Sequence, residues 1–138
     1  MNASQQIELG KLFFEDGIPG FSQLQFFQLI QEEDSPFYVL QSVEDSNVSF
    51  WVINPFSFFP DYQFNLSPSI KNALRIDEET SVAVFNIVTI RESDQVTVNL
   101  KAPIVINLSN RMSKQVILQE EIYSIRQPLF AKQAAAKG

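Results

Sequence analysis

Short apolar stretches with strand-like alternation, cut at close intervals by Gly, Pro, Asn and Asp, constrain this chain more than any other feature. Residues 6–14 alternate loosely and suit a first strand. Glu15-Asp16-Gly17-Ile18-Pro19-Gly20 follows, dense in turn formers. Residues 21–27 are expected to make one helical turn with Ser22 as N-cap, and residues 26–30 the next strand. Glu32-Glu33-Asp34-Ser35-Pro36 is a charged break, and Pro36 keeps the residue before it extended. Residues 37–43 and 48–53 are rich in aromatic and β-branched side chains, and Glu44-Asp45-Ser46-Asn47 supplies a hairpin turn between them. In residues 48–53 both faces are largely apolar, so this strand is expected to be central and Trp51 to lie in the core.

The second half continues the pattern. Pro55 and Pro60 cannot donate to a ladder, so residues 54–61 form a loop or a bulged edge. One helix is well signalled: Ser67 caps it, Pro68 suits its first position, and Ile70, Ala73 and Leu74 share a face. Asp77-Glu78-Glu79 is a solvated loop. Residues 81–90 make a long strand with Val82, Val84, Val88 and Ile90 on one face and Ala83, Phe85 and Ile87 on the other. Residues 95–100, 103–108 and 115–118 read as further strands, the last two forming a second hairpin.

About eight or nine short strands with one or two short helices, in 138 residues, define a mostly β single domain. An antiparallel barrel or sandwich satisfies that pattern, and closing the sheet manages its edges, so the expected fold is an antiparallel β-barrel-like one. The domain is expected over residues 1–130, with an Ala/Lys-rich tail, residues 131–138, frayed or disordered.

Composition removes much chemistry. The chain has no Cys and no His. That excludes zinc fingers, His-ligated iron or copper, Cys nucleophiles and Ser-His-Asp triads. Four Gly leave no material for a phosphate-binding loop, and the clusters Glu32-Glu33-Asp34 and Asp77-Glu78-Glu79 lack the spacing of a calcium loop. No metal or cofactor is expected. The net charge of -6 is unevenly placed. Between Leu12 and Ile70 there is no Lys or Arg, while Glu15, Asp16, Glu32, Glu33, Asp34, Glu44, Asp45 and Asp61 are all acidic. Such a stretch repels phosphate backbones and favours a basic partner protein, or is simply a solubilising surface. The polar start and the lack of a long apolar run give no secretory signal or membrane span, so a cytoplasmic protein is expected.

The most distinctive segment is Trp51-Val52-Ile53-Asn54-Pro55-Phe56-Ser57-Phe58-Phe59-Pro60-Asp61-Tyr62. Past Pro55 the strand pattern stops, yet Phe56, Phe58, Phe59 and Tyr62 continue. Either they lid the open end of a barrel, or they form an aromatic patch rimmed by acids that anchors a partner helix or peptide. Stacking on single-stranded RNA needs interleaved basic residues, which this segment lacks. A carboxylate pair drawn from Asp34, Asp45 and Asp61 is the alternative, that of a small acidic hydrolase.

Four motifs in order carry a resemblance. They are Asp16-Gly17-Ile18-Pro19-Gly20-Phe21, Asp34-Ser35-Pro36-Phe37-Tyr38-Val39-Leu40-Gln41-Ser42-Val43, Asn54-Pro55-Phe56-Ser57-Phe58-Phe59-Pro60-Asp61-Tyr62, and Asn99-Leu100-Lys101-Ala102-Pro103-Ile104-Val105-Ile106-Asn107 running on to Gln115-Val116-Ile117-Leu118. Together with Tyr123, Arg126, Pro128 and Leu129, the stretch from residue 7 to residue 130 resembles the bacterial flagellar assembly factor FliW family. The resemblance implies a cytoplasmic, non-enzymatic, β-barrel-like binding protein. It implies antagonism, thought to be allosteric, of the CsrA homodimer, an RNA-binding translational repressor of flagellin. It also implies binding of flagellin in a partner-switching loop, with no direct contact to nucleic acid or membrane. On that basis the expected partner-binding residues are Phe56, Phe58, Phe59 and Tyr62 as an apolar centre, with Glu32, Glu33, Asp34, Glu44, Asp45 and Asp61 as a charged rim.

Overall fold

The structure, a computed structural model, describes residues 6–92 and 95–130. The tail at 131–138 lies outside them. Nine strands occur among the described residues: β1 (Gln6–Phe14), β2 (Phe26–Glu32), β3 (Phe37–Ser42), β4 (Ser49–Ile53), β5 (Val82–Ile90), β6 (Val96–Val98), β7 (Ile104–Asn107), β8 (Met112–Gln115) and β9 (Gln127–Pro128). One α-helix, α1 (Pro68–Leu74), and a 3-10 turn, Pro55–Ser57, lie between β4 and β5.

Local chemistry explains the turns. Pro19 and Gly20, the latter at φ 90, make a tight reversal in which the Phe21 amide donates to the Ile18 carbonyl at 2.6 Å. The chain then turns again, with the Leu24 amide donating to Phe21, so Ser22 caps no helix there. The Pro-Gly pair had already committed the backbone to turn geometry. Gly10, at φ 91, sits in a break of register between Glu8 and Lys11 and lets β1 bulge. The expected helix does form: the Ser67 hydroxyl accepts from the Ile70 amide, Pro68 opens the first turn, and Arg75 stops it at φ 60. Ile70 and Leu74 face the protein, while Ala73 is exposed.

The sheet closes. Its order β4-β3-β2-β1-β8-β7-β5 returns to β4 through a β4–β5 pairing, giving a seven-stranded barrel. Every ladder is antiparallel except β1–β8, where Phe13 and Phe14 run parallel to Met112 and Ser113. Besides β4, paired over residues 86–88, the nine-residue β5 serves β7 over residues 82–85 and β6 over residues 88–90. β6 and β9 extend the sheet beyond the barrel, and Pro128 stands in that last strand. The second hairpin falls slightly earlier than the sequence suggests, with Ile104 opposite Gln115. Residues 116–118 continue beside it, the Val116 and Leu118 amides donating to Pro103 and Lys101.

Alternation along the strands builds two cores. Leu12, Phe14, Phe27, Leu29, Leu40, Val52, Phe85, Ile104 and Ile106 fill the barrel. Their alternates, Ile53, Val88, Val98 and Val105, face outward into a second cluster with Tyr62, Leu74, Leu100, Val116, Leu118 and Leu129. Thus α1 and the segments around residues 54–66 and 116–130 cover one outer wall of the barrel.

Candidate partner-binding surfaces

The aromatic segment after β4 is built by local capping. Asn54 precedes the 3-10 turn, its side chain accepting from the Phe56 amide at 3.0 Å, and the Phe58 and Phe59 amides donate back to Pro55. This folds the aromatic residues down onto the outer core rather than over a barrel mouth. Tyr62 is buried, with only 4% of its surface exposed. Its hydroxyl donates to the Leu100 carbonyl at 2.6 Å and accepts from Asn86 Nδ2 at 3.3 Å. Burial pushes its phenol up to about 12, so it stays a donor through the neutral range. Its ring meets Tyr123 edge-on at 4.8 Å, and Phe64 and Phe56 at 5.5 and 5.9 Å.

The four aromatic residues therefore divide. Tyr62 is core. Phe58 and Phe59 are half-buried against that core. Phe56 is 43% exposed, the most open of the four. Asp61 is exposed beside them.

The acidic residues fall in two places. Glu32 ends β2, and Glu33 and Asp34 make the exposed turn into β3, Asp34 at φ 59. Glu44 and Asp45 lie in the turn after β3. The intervening strand has six residues, so the two groups stand about 20 Å apart. The aromatic loop shares the Glu32–Asp34 end, because Phe37 pairs with Ile53 at the exit of β4. Glu44 and Asp45 also hold the backbone. Glu44 Oε1 accepts from the Gln25 and Phe26 amides at 2.7 and 3.0 Å, and Asp45 Oδ1 accepts from the Asn47 amide at 3.0 Å. Asp34 and Asp45 at opposite ends of β3 do not form a carboxylate pair.

Trp51 is not in the core. It faces outward, 43% exposed, with its ring edge-on to Phe37 at 6.0 Å. The double apolar pattern of β4 arises because Phe50 and Val52 face the barrel interior, while Trp51 and Ile53 face outward and only Ile53 is covered. A second exposed feature was not singled out in the sequence. Ile117, Ile122 and Ile125 project from the closing segment, Ile122 being 79% exposed. That segment is held by Tyr123, whose hydroxyl donates to the Gln63 carbonyl and accepts from its amide, and by the Leu100 amide bonding Ser124.

A closed seven-stranded barrel with a second core on its outer wall, and acids grouped at both ends of one hairpin strand, describes a small, mostly β barrel domain. The family model described as FliW protein matches residues 2–129. A flagellar assembly factor FliW from Caldicellulosiruptor saccharolyticus is 49% identical over 120 residues, covering 86% of this chain and 79% of that protein. One from Anoxybacillus flavithermus is 40% identical over 134 residues, covering 96% and 92%, and one from Bacillus subtilis is 44% identical over 120 residues, covering 86% and 84%. The crystal structure of a flagellar assembly factor FliW superposes with a TM-score of 0.84 at 42% identity, covering 91% of this chain and 89% of that one. The chain belongs to the FliW family of flagellar assembly factors.

Proposed function

We propose that this protein is a cytoplasmic regulatory binding protein of flagellum assembly. It binds the CsrA homodimer and relieves repression of flagellin translation by an allosteric route. It also binds flagellin, so that the two partners exchange on it. Binding is its whole work, and it turns over no substrate. The observation that supports this most is the stretch from Leu12 to Ile70, eight acids without one Lys or Arg, in a chain whose relatives are flagellar assembly factors. An RNA-binding protein carries basic surface, and an acidic partner is steered to it. No helix among the described residues is long and apolar enough to cross a membrane.

The test is retention of purified CsrA and of purified flagellin on the immobilised protein, first separately and then in competition. Retention of each alone, with displacement of one by the other, is the expected result. Independent retention of both on the same molecule contradicts the exchange. Retention of neither contradicts the proposal.

A further inference from the structure

The barrel's outer wall is covered on one side only. Over β5, β7 and β8 the outward residues Val88, Val105 and Met112 enter the second core. Over β2, β3 and β4 the outward residues Ile30, Val39 and Trp51 stay outside it, while Phe37 and Ile53, at the end beside the aromatic loop, enter it. The register there lines up Ile30 with Val39, Val39 with Trp51, and Trp51 with Val88. The alternates Leu29, Leu40 and Val52 are in the barrel core, so Ile30, Val39 and Trp51 form an apolar row across the outside of the sheet. Val88, at the β5 end of that row, is buried, and the exposed Ile90, two residues on, falls opposite Ser49 and outside the row. The next row, Gln28, Gln41 and Ser49, is polar and uncharged. Glu33 and Asp34 lie past one end of this wall, and Glu44 and Asp45 past the other.

We infer that this outer face of β2, β3 and β4 is the docking surface for a basic protein, with Trp51 at its apolar centre and the acidic turns at its two ends. The inference rests on the proposed function in taking CsrA as that protein. Charge selects the occupant. The three strands and both turns contain no Lys or Arg, and Lys11 on β1 and Arg91 after β5 stand only at the borders. A second copy would bring the same acids against themselves, and nucleic acid would be repelled. A protein with an apolar patch flanked by Lys or Arg, set about 20 Å apart, meets both features. The face also takes Glu32, Glu33, Asp34, Glu44 and Asp45 of the acids predicted for the interface, while leaving Tyr62, Phe58 and Phe59 to the core that they stabilise.

The experiment measures affinity of the full chain for purified CsrA, with sedimentation of the free protein. Ser49→Arg places a bulky cation on the wall from an exposed position and removes no buried contact. Trp51→Ala removes the centre, and Ser49→Arg keeps the test intact if that variant misfolds. Ala73→Arg, the same cation at an exposed position on α1, is the control. Ser49→Arg and Trp51→Ala are expected to weaken binding by about tenfold or more, with Ala73→Arg within about twofold of the parent. If the parent binds and Ser49→Arg binds equally well, the face is wrong and the proposed function stands. If the parent does not bind CsrA, both fall. If the free protein is a dimer that Ser49→Arg dissociates, the face belongs to a second copy and the inference is overturned.

Discussion

The Tyr62 hydroxyl donates to the Leu100 carbonyl at 2.6 Å across 38 residues of sequence. This bond ties the aromatic loop after β4 to the stretch that follows β6. Asn86, fully buried on β5, joins it by donating to Tyr62 and to the Asn99 carbonyl. Removing the hydroxyl leaves a buried carbonyl without its donor. Tyr62→Phe is therefore expected to cost about 1–3 kcal/mol in urea unfolding. Phe56→Ala, at an exposed ring, is expected to cost under about 1 kcal/mol in the same measurement.

The same phenol makes stability depend on alkaline pH. Its ordinary value is 10.0 and burial raises it in the folded protein to about 12. Between those values the folded state holds a proton that the unfolded state releases. The stabilisation is complete below pH 10 and is lost as pH rises through about 12. The loss is on the order of 2–3 kcal/mol, read as a falling urea midpoint. Tyr62→Phe should flatten that part of the profile. An unchanged profile in the variant would assign the dependence elsewhere.

Asn107 closes the helix from a distance. Its Nδ2 donates to the Leu74 carbonyl at 2.8 Å and to that of Arg75 at 3.2 Å, while its Oδ1 accepts from the Ser109 amide at 2.8 Å. One buried side chain thus satisfies the end of α1 and shapes the turn into β8. Asn107→Ala is expected to cost about 2 kcal/mol or more. Hydrogen exchange should rise at the C-terminal end of α1 and in the turn at residues 108–111, with the β2–β4 hairpins unaffected.

Gly17 has a stricter requirement. It adopts φ 66, and a Cβ there would approach the Phe21 carbonyl oxygen to 2.6 Å. Gly17→Ala is expected to destabilise by more than the roughly 1 kcal/mol of an ordinary Gly exchange, because the atom in the way is backbone. Gly20, at φ 90 with open space around it, should tolerate the change better. Thermal unfolding of the two variants checks the order.

Most of the barrel was legible because strand alternation and turn chemistry are local. The β3–β4 hairpin, the capped helix at Ser67 and the long β5 all follow from residues near in sequence. What was not legible depended on closure. Once the sheet closes, a strand has an inner and an outer face, and only tertiary placement decides whether the outer one is covered. Ile53 is covered and Trp51, two residues earlier, is not. The same reason separates Tyr62 from Phe56, since the bond to Leu100 cannot be read locally. The acids were legible as a charge bias, but their division between the two ends of β3 required the hairpin.

The most direct measurement is the affinity of this protein for purified CsrA as salt is raised, shrinking the screening length from about 10 Å to about 3 Å. Binding through a face whose end turns carry Glu33, Asp34, Glu44 and Asp45 and no Lys or Arg should weaken steeply, chiefly by slower association. Equal affinity at low and high salt would contradict the account.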